Sequence, residues 1–126
     1  MSPTKKQGPV VPDPGDVVVV PFPFSERRGQ RRRPALVISK RAFNHAGHTV
    51  MAMITSSARS SWPGDVELDD LEGAGLRVPC RVRLKVFTLD NRLIVRCAGS
   101  LSRADAEAVS SSLRKHLGVA GPDQRK

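Results

Sequence analysis

The sequence predicts a mainly β domain: five or six strands in a small curled sheet, followed by one C-terminal helix, and not an alternating α/β fold. Three observations carry this. Short runs rich in Val and Ile, such as Val17 to Val20 and Ala35 to Ile38, are bounded by Pro and Gly and read as buried strands. From Cys80 to Val86 apolar and other residues alternate strictly, the period of a strand. Only after Ser102 do apolar residues recur at helical spacing. A chain of 126 residues fits one domain with one core.

Taken in order, residues 1–14 hold Pro3, Pro9, Pro12 and Pro14 with Lys5 and Lys6, and read as a disordered basic tail. The compact domain is expected from 15 to 119, with residues 120–126 frayed. Strand one is Val17 to Val20, apolar on both faces; Pro21 and Pro23, interleaved with Phe22 and Phe24, end it. A loop from Ser25 to Arg32 leads to strand two, about Arg33 to Lys40. Arg41 to Gly47 is a connection with turn residues Asn44 and Gly47. Strand three runs from His48 to about Ser56, and the polar segment after it turns at Pro63-Gly64. Strand four, Asp65 to Leu68, is short, and the acidic, glycine-containing stretch after it is a second loop. In strand five Cys80, Val82, Leu84 and Val86 share one face, which leaves Arg81, Arg83 and Lys85 as a cationic stripe at ~7 Å spacing on the other. Thr88 to Asn91 reads as a turn and Leu93 to Val95 as a sixth strand. Ser102 is a helix N-cap with Asp105 in the capping-box position. Ala108, Val109, Leu113, His116 and Leu117 form the apolar stripe, basic residues close the last turn, and Gly118 ends the helix.

The formal net charge is +9. Such an excess suits nucleic acid, an anionic membrane surface or an acidic protein partner, or else it is a well-solvated surface. No apolar run reaches the ~20 residues of a membrane span. The N-terminus has no apolar core of a signal peptide, and two cysteines with no export signal indicate a cytoplasmic chain with reduced thiols.

Arg27, Arg28, Arg31, Arg32 and Arg33 crowd the first loop. Arg33 differs from the others because Pro34 biases it to an extended conformation, which holds it at the mouth of strand two. A guanidinium is a fixed fork of donors suited to phosphate oxygens. Thr55 and Ser56 end strand three; hydroxyls there form turns, or join Arg33 in a site if the fold brings them together. His45, His48, Cys80 and Cys97 lack the close cysteine pairing of a zinc site, and Cys80 falls on an apolar face. With no Tyr and one Trp, base stacking has little support, so any RNA affinity must come mainly from phosphate contacts.

The segments GDVVVVPFPFSERRGQRRRPALVIS, MITSS, WPGDVEL and KVFTLDNRLIVRCAGSLS occur in an order that resembles the MazF/PemK family of type II toxins, in its PemK-like branch, over about Gly15 to Val119. The resemblance implies a small SH3-like β-barrel with a C-terminal helix, acting as a homodimer. It implies an endoribonuclease that cuts single-stranded RNA at short sequences without a metal or other cofactor, and that a cognate acidic antitoxin restrains. The family's R-P motif falls on Arg33 and its I-T-S motif on Thr55, with Ser56 adjacent; the acidic residue after P-F-P-F-S is Glu26. Arg27, Arg28, Arg31 and Arg32 would gather the RNA backbone. The chain departs from many relatives in carrying Phe87 where they have a cation, and in its arginine-rich first loop. A catalytically degenerate barrel that binds nucleic acid or a protein is the alternative.

Overall fold

The computed structural model describes residues 10–22 and 31–118. Glu26, Arg27 and Arg28 lie outside the described residues, as do most of the N-terminal tail and the segment after Gly118. Six strands form one sheet: β1 Asp16–Pro21, β2 Arg32–Val37, β3 His48–Ser56, β4 Val66–Glu67, β5 Cys80–Asp90 and β6 Arg96–Ser100. A single helical turn, α1 (Arg41–Asn44), joins β2 to β3, and α2 (Arg103–His116) follows β6. The strand order is β4-β5-β3-β2-β1-β6, and every pair is antiparallel. The mainly β class with a C-terminal helix is what the sequence predicts.

Side-chain alternation sorts the apolar residues of the central strands onto two faces. Val17, Leu36, Ala52, Ile54 and Val82 pack on one face with Leu68, Ala74 and Val109 of α2. Val18, Val20, Ala35, Val37, Met51 and Phe87 pack on the other with Phe22 and Ile94. Because both faces are covered, these strands read as continuous apolar runs instead of alternating ones.

Several boundaries move. β5 does not turn at Thr88 to Asn91: it pairs with β3 from Ser56↔Cys80 to His48↔Asp90, and the chain reverses in a 3₁₀ turn at Asn91–Leu93. That turn is held by buried Asn91, whose side chain donates to the Asn44 carbonyl (2.7 Å) and accepts from the Thr49 hydroxyl (2.7 Å). The sixth strand therefore comes later than Leu93 to Val95, with its register on β1 running from Arg96↔Val19 to Ser100↔Asp16. The register of β3 on β5 also slips between Ala52 and Met53, leaving Leu84 and Lys85 without partners opposite.

At the N-terminus, the chain is tied down before Gly15. The carbonyls of Val11 and Pro12 accept from Arg41 (2.6 Å) and Asn44 (2.9 Å). In α2 the Ser102 hydroxyl accepts from the Asp105 N–H (3.1 Å), as the capping pattern predicts. Buried Asp105 then does more than cap: its carboxylate accepts the N–H groups of Asp69 and Asp70 (3.0–3.1 Å), tying the second loop to the helix. His116 and Leu117 are exposed rather than part of the packed stripe, and Gly118 is not among the glycines with positive φ. The second loop lies flat on β6. A Cβ on Gly75 (φ +75°) would come within 2.3 Å of the Ala98 carbonyl oxygen, so only glycine allows this approach. The same contact sets Leu76 to Val78 against the end of the sheet where β2 and β3 open.

Candidate active site at the open end of the sheet

The ladder between β2 and β3 runs Val37↔Met51, Leu36↔Ala52, Ala35↔Met53 and stops. Pro34, next in line, brings no N–H. Two residues further along the same register, Arg33 stands opposite Thr55. Both share the face of Ala35, Val37, Met51 and Met53, because side chains alternate and the extra residues of the slip at Ala52/Met53, Leu84 and Lys85, lie on β5. The fold thus brings together the two residues singled out from the R-P and I-T-S motifs. Arg32 and Ser56, by the same alternation, point to the opposite face.

The Arg33 guanidinium lies over the Phe22 ring, 5.9 Å from its centroid, and Phe22 meets Phe87 edge-on at 5.3 Å. Phe87, the departure from the family pattern, is buried and stands behind the ring that carries Arg33. Burial pushes the Arg33 pKa below its ordinary value, and the charges of Arg31 and then Arg59 push it in the same direction. Among the described residues Arg33 has no ion-pair partner, and neither have Arg31, Arg32, Arg59, Arg77 and Arg96. A partly buried cation repelled by two others is poised to accept an anion.

The three hydroxyls after Ile54 divide in role. Ser56 Oγ accepts from the Ala58 N–H (3.1 Å), the turn-forming use, and Ser57 donates to Glu67. Thr55 is buried, 4% exposed, and its hydroxyl has no side-chain hydrogen bond among the described residues, so it is available to a ligand.

A cavity of about 430 Å³ opens around this end of the sheet and touches Arg33 and Thr55. Arg32, Arg77 and Arg96 reach its wall from three different segments, over a floor that includes Ile54, Leu76 and Cys80. No carboxylate or imidazole lines it among the described residues. Burial, and secondarily Glu67, pushes the Cys80 thiol up, so it stays protonated and packs as a small apolar group. Among the described residues no cluster of His, Cys, Asp and Glu could hold a metal ion.

The cationic stripe of β5 serves another purpose. Arg83 grips Asp65 through Nε and Nη2 (3.1 and 2.9 Å) and donates to the Ser60 carbonyl (2.7 Å). Arg81 donates to the Ser57 carbonyl (3.0 Å) and lies 3.3 Å from Glu67, near enough for charge attraction but unaligned for a hydrogen bond. These arginines anchor the 57–65 segment. That segment delivers Arg59 to the neighbourhood of Arg33, a placement the sequence does not signal beyond its position four residues after Thr55. Arg77 and Arg96 were equally hidden, because their approach depends on the glycine-mediated packing of the second loop on β6.

Residues 13–117 match the family model of PemK-like, MazF-like toxins of type II toxin–antitoxin systems. No curated protein sequence matches the chain. The chain is similar to the crystal structure of MazF from Deinococcus radiodurans, with 28% identity, 87% of this chain and 99% of that one covered, and a TM-score of 0.66. It is also similar to a chain of the MazE–MazF crystal structure from the same organism (27% identity, 88% and 100% covered, TM-score 0.69). A third similar structure is an endoribonuclease from a mycobacterial species in complex with its cognate antitoxin (19% identity, 89% and 98% covered, TM-score 0.67), a likeness of fold.

Proposed function

Since the chain belongs to the family of PemK-like, MazF-like toxins of type II toxin–antitoxin systems, we propose that it is an endoribonuclease that cuts single-stranded RNA at the Arg33–Thr55 end of its sheet, with no metal. One observation carries the assignment of the site: Arg33 and Thr55 share a face and a height on adjacent strands, amid arginines that have no carboxylate partner among the described residues.

The chemistry follows from these groups. The substrate's own 2′-oxygen bonds to the adjacent phosphorus as the bond to the 5′-oxygen breaks, leaving a 2′,3′-cyclic phosphate and a 5′-hydroxyl. The attack is within one molecule, so holding the sugar and phosphate in line supplies much of the acceleration. Charge gathers on the phosphoryl oxygens in the transition state. Arg33 and the Thr55 hydroxyl are donors fixed in advance where that charge develops. One proton leaves the 2′-hydroxyl and another reaches the 5′-oxygen. Arginine is a poor base at neutral pH, so the acceptor is another group: Glu26, a histidine or water.

The same unpaired arginines suit an acidic segment of a cognate antitoxin, which would inhibit by filling the RNA groove. A homodimer acting in the cytoplasm completes the proposal. No helix among the described residues is long and apolar enough to cross a membrane.

The test is to incubate the purified protein with a long RNA in EDTA, beside an Arg33→Ala variant. The wild type is expected to cut, and the variant to lose about 10²–10³-fold in rate, the usual effect of removing one transition-state donor. Undiminished cleavage by the variant removes Arg33 from the chemistry. Intact RNA with the wild type favours the degenerate, binding-only barrel.

A further inference from the structure

We propose that Trp62 is a stacking platform for a nucleobase next to the scissile phosphate, and so helps to select the RNA sequence cut; this rests on the endoribonuclease reading. Trp62 leaves 42% of its surface exposed, although it is the only tryptophan in the chain and its segment is firmly held. Its N–H donates to Asp65 Oδ2 (2.9 Å), and its carbonyl accepts from the Asp65 N–H (3.2 Å). The Arg83 guanidinium lies over the indole at 4.7 Å from the ring centroid. Asp65 grips the same guanidinium, and Lys85 Nζ lies 5.9 Å from the ring centroid, so the ring rests on a fixed support and its exposed part is presented to solvent without the cost of ordering it on binding.

The position fits the substrate. Arg83 is opposite Met53, and Arg81 is opposite Thr55, all on one face. Moving from Thr55 to the base of the Trp62 platform takes one step of about 7 Å along β3 and about 5 Å across to β5. A nucleotide beside the one cut reaches that far. The backbone between the two points passes Arg59, which is close enough to Arg33 to lower its pKa. The 55–62 segment therefore carries, in order, a hydroxyl for the reacting phosphate, a cation for the backbone and an aromatic face for a base. Every base has a π-face, and stacking strength differs among bases, so such a platform gives affinity and a graded preference.

The experiment uses the lone tryptophan as its own reporter. The full chain is titrated with a single-stranded 2′-O-methyl RNA 20-mer of mixed sequence, which lacks the attacking hydroxyl and stays intact. Binding is read separately by the anisotropy of a fluorescein-labelled copy. The expected result is saturable quenching of Trp62 fluorescence at the same midpoint as the anisotropy change. Trp62→Ala is expected to weaken binding about 10-fold and Trp62→Phe only slightly, as a loss and a retention of stacking. Sequenced ends of natural RNA cut by Trp62→Ala should show a relaxed preference at one position beside the cut. RNA binding without any change in Trp62 fluorescence overturns the platform and leaves the endoribonuclease reading standing. Fluorescence that follows protein concentration and ignores RNA gives this face to a protein contact, and overturns it too. No anisotropy change overturns both.

Discussion

Two groups of arginines lie near one another on this small sheet and have opposite fates. Arg81 and Arg83 are at most 14% exposed in their side chains and are matched to Asp65 and Glu67. Arg31 and Arg59 each repel Arg33, and none of the three has an acidic partner among the described residues. Elsewhere Asp13, Asp90 and Glu107 pair with Arg41, Arg92 and Arg103. The difference separates two uses of charge that a net value merges. Cations that hold the chain together are neutralised, and on the proposed reading the unpaired ones meet the RNA.

The largest effect expected from this contrast is on stability. Asp65→Ala leaves Arg83 buried without its partner, which costs about 3–5 kcal/mol, a large share of the roughly 5–15 kcal/mol a domain has. Arg33→Ala orphans no carboxylate and relieves a repulsion, so it should shift urea unfolding by under about 1 kcal/mol. Equal losses would erase the distinction. Acid unfolding probes the same pair. Burial raises the Asp65 pKa, but hydrogen bonds from Arg83 and the Trp62 N–H, with the charges of Arg83 and Arg81, more than offset it and hold the carboxyl below 3.8. Folding therefore favours the ionised form. That contribution is whole above pH 3.8 and is lost as pH falls through the lower folded value, so Asp65→Asn should flatten the acid limb of the stability curve.

The next effect concerns rate. Thr55→Val keeps the shape of a buried side chain and removes a hydroxyl that bonds no side chain or backbone group among the described residues. Stability should hold or rise, because nothing is orphaned. Cleavage in single-turnover assays should fall about 10²-fold, the scale of one lost donor. A destabilised Thr55→Val with normal cleavage would move the hydroxyl from chemistry to structure.

How much of this contrast was legible beforehand can be read residue by residue. Thr55 stood out through the I-T-S motif, since a hydroxyl at a strand end by itself reads as turn-forming, whereas Arg33 stood out because Pro34 biases its backbone, a local signal. The mainly β class followed from runs of Val and Ile in the same way. The alternation of β5 correctly set Arg81, Arg83 and Lys85 on one face, but alternation cannot say what covers a face. Asp65, sixteen and eighteen residues away in sequence, covers it. The turn expected at Thr88 to Asn91 failed for a similar reason: pairing with β3 continues to Asp90 because Asn91, Asn44 and Thr49 meet across three elements. Arg59, Arg77 and Arg96 could not be chosen from the sequence, since their nearness to the site is made by the folded loops alone.

The smallest effect is the most direct test of an arginine left waiting. Each cation that meets a phosphate releases counterions, so removing one from a single-strand site should reduce the slope of log K against log salt by about 0.7. Arg59→Ser is expected to do this, with a few-fold loss of affinity at moderate salt, measured on the 2′-O-methyl RNA by anisotropy. Arg103→Ser is the control. That residue is exposed on α2 beside Glu107 at 3.7 Å, and its loss should leave the slope alone. If both variants change the slope alike, the chain attracts RNA through its overall charge, and the unpaired arginines beside Arg33 have no special standing. If only Arg59→Ser changes it, the repulsion between Arg59 and Arg33 is what RNA binding relieves.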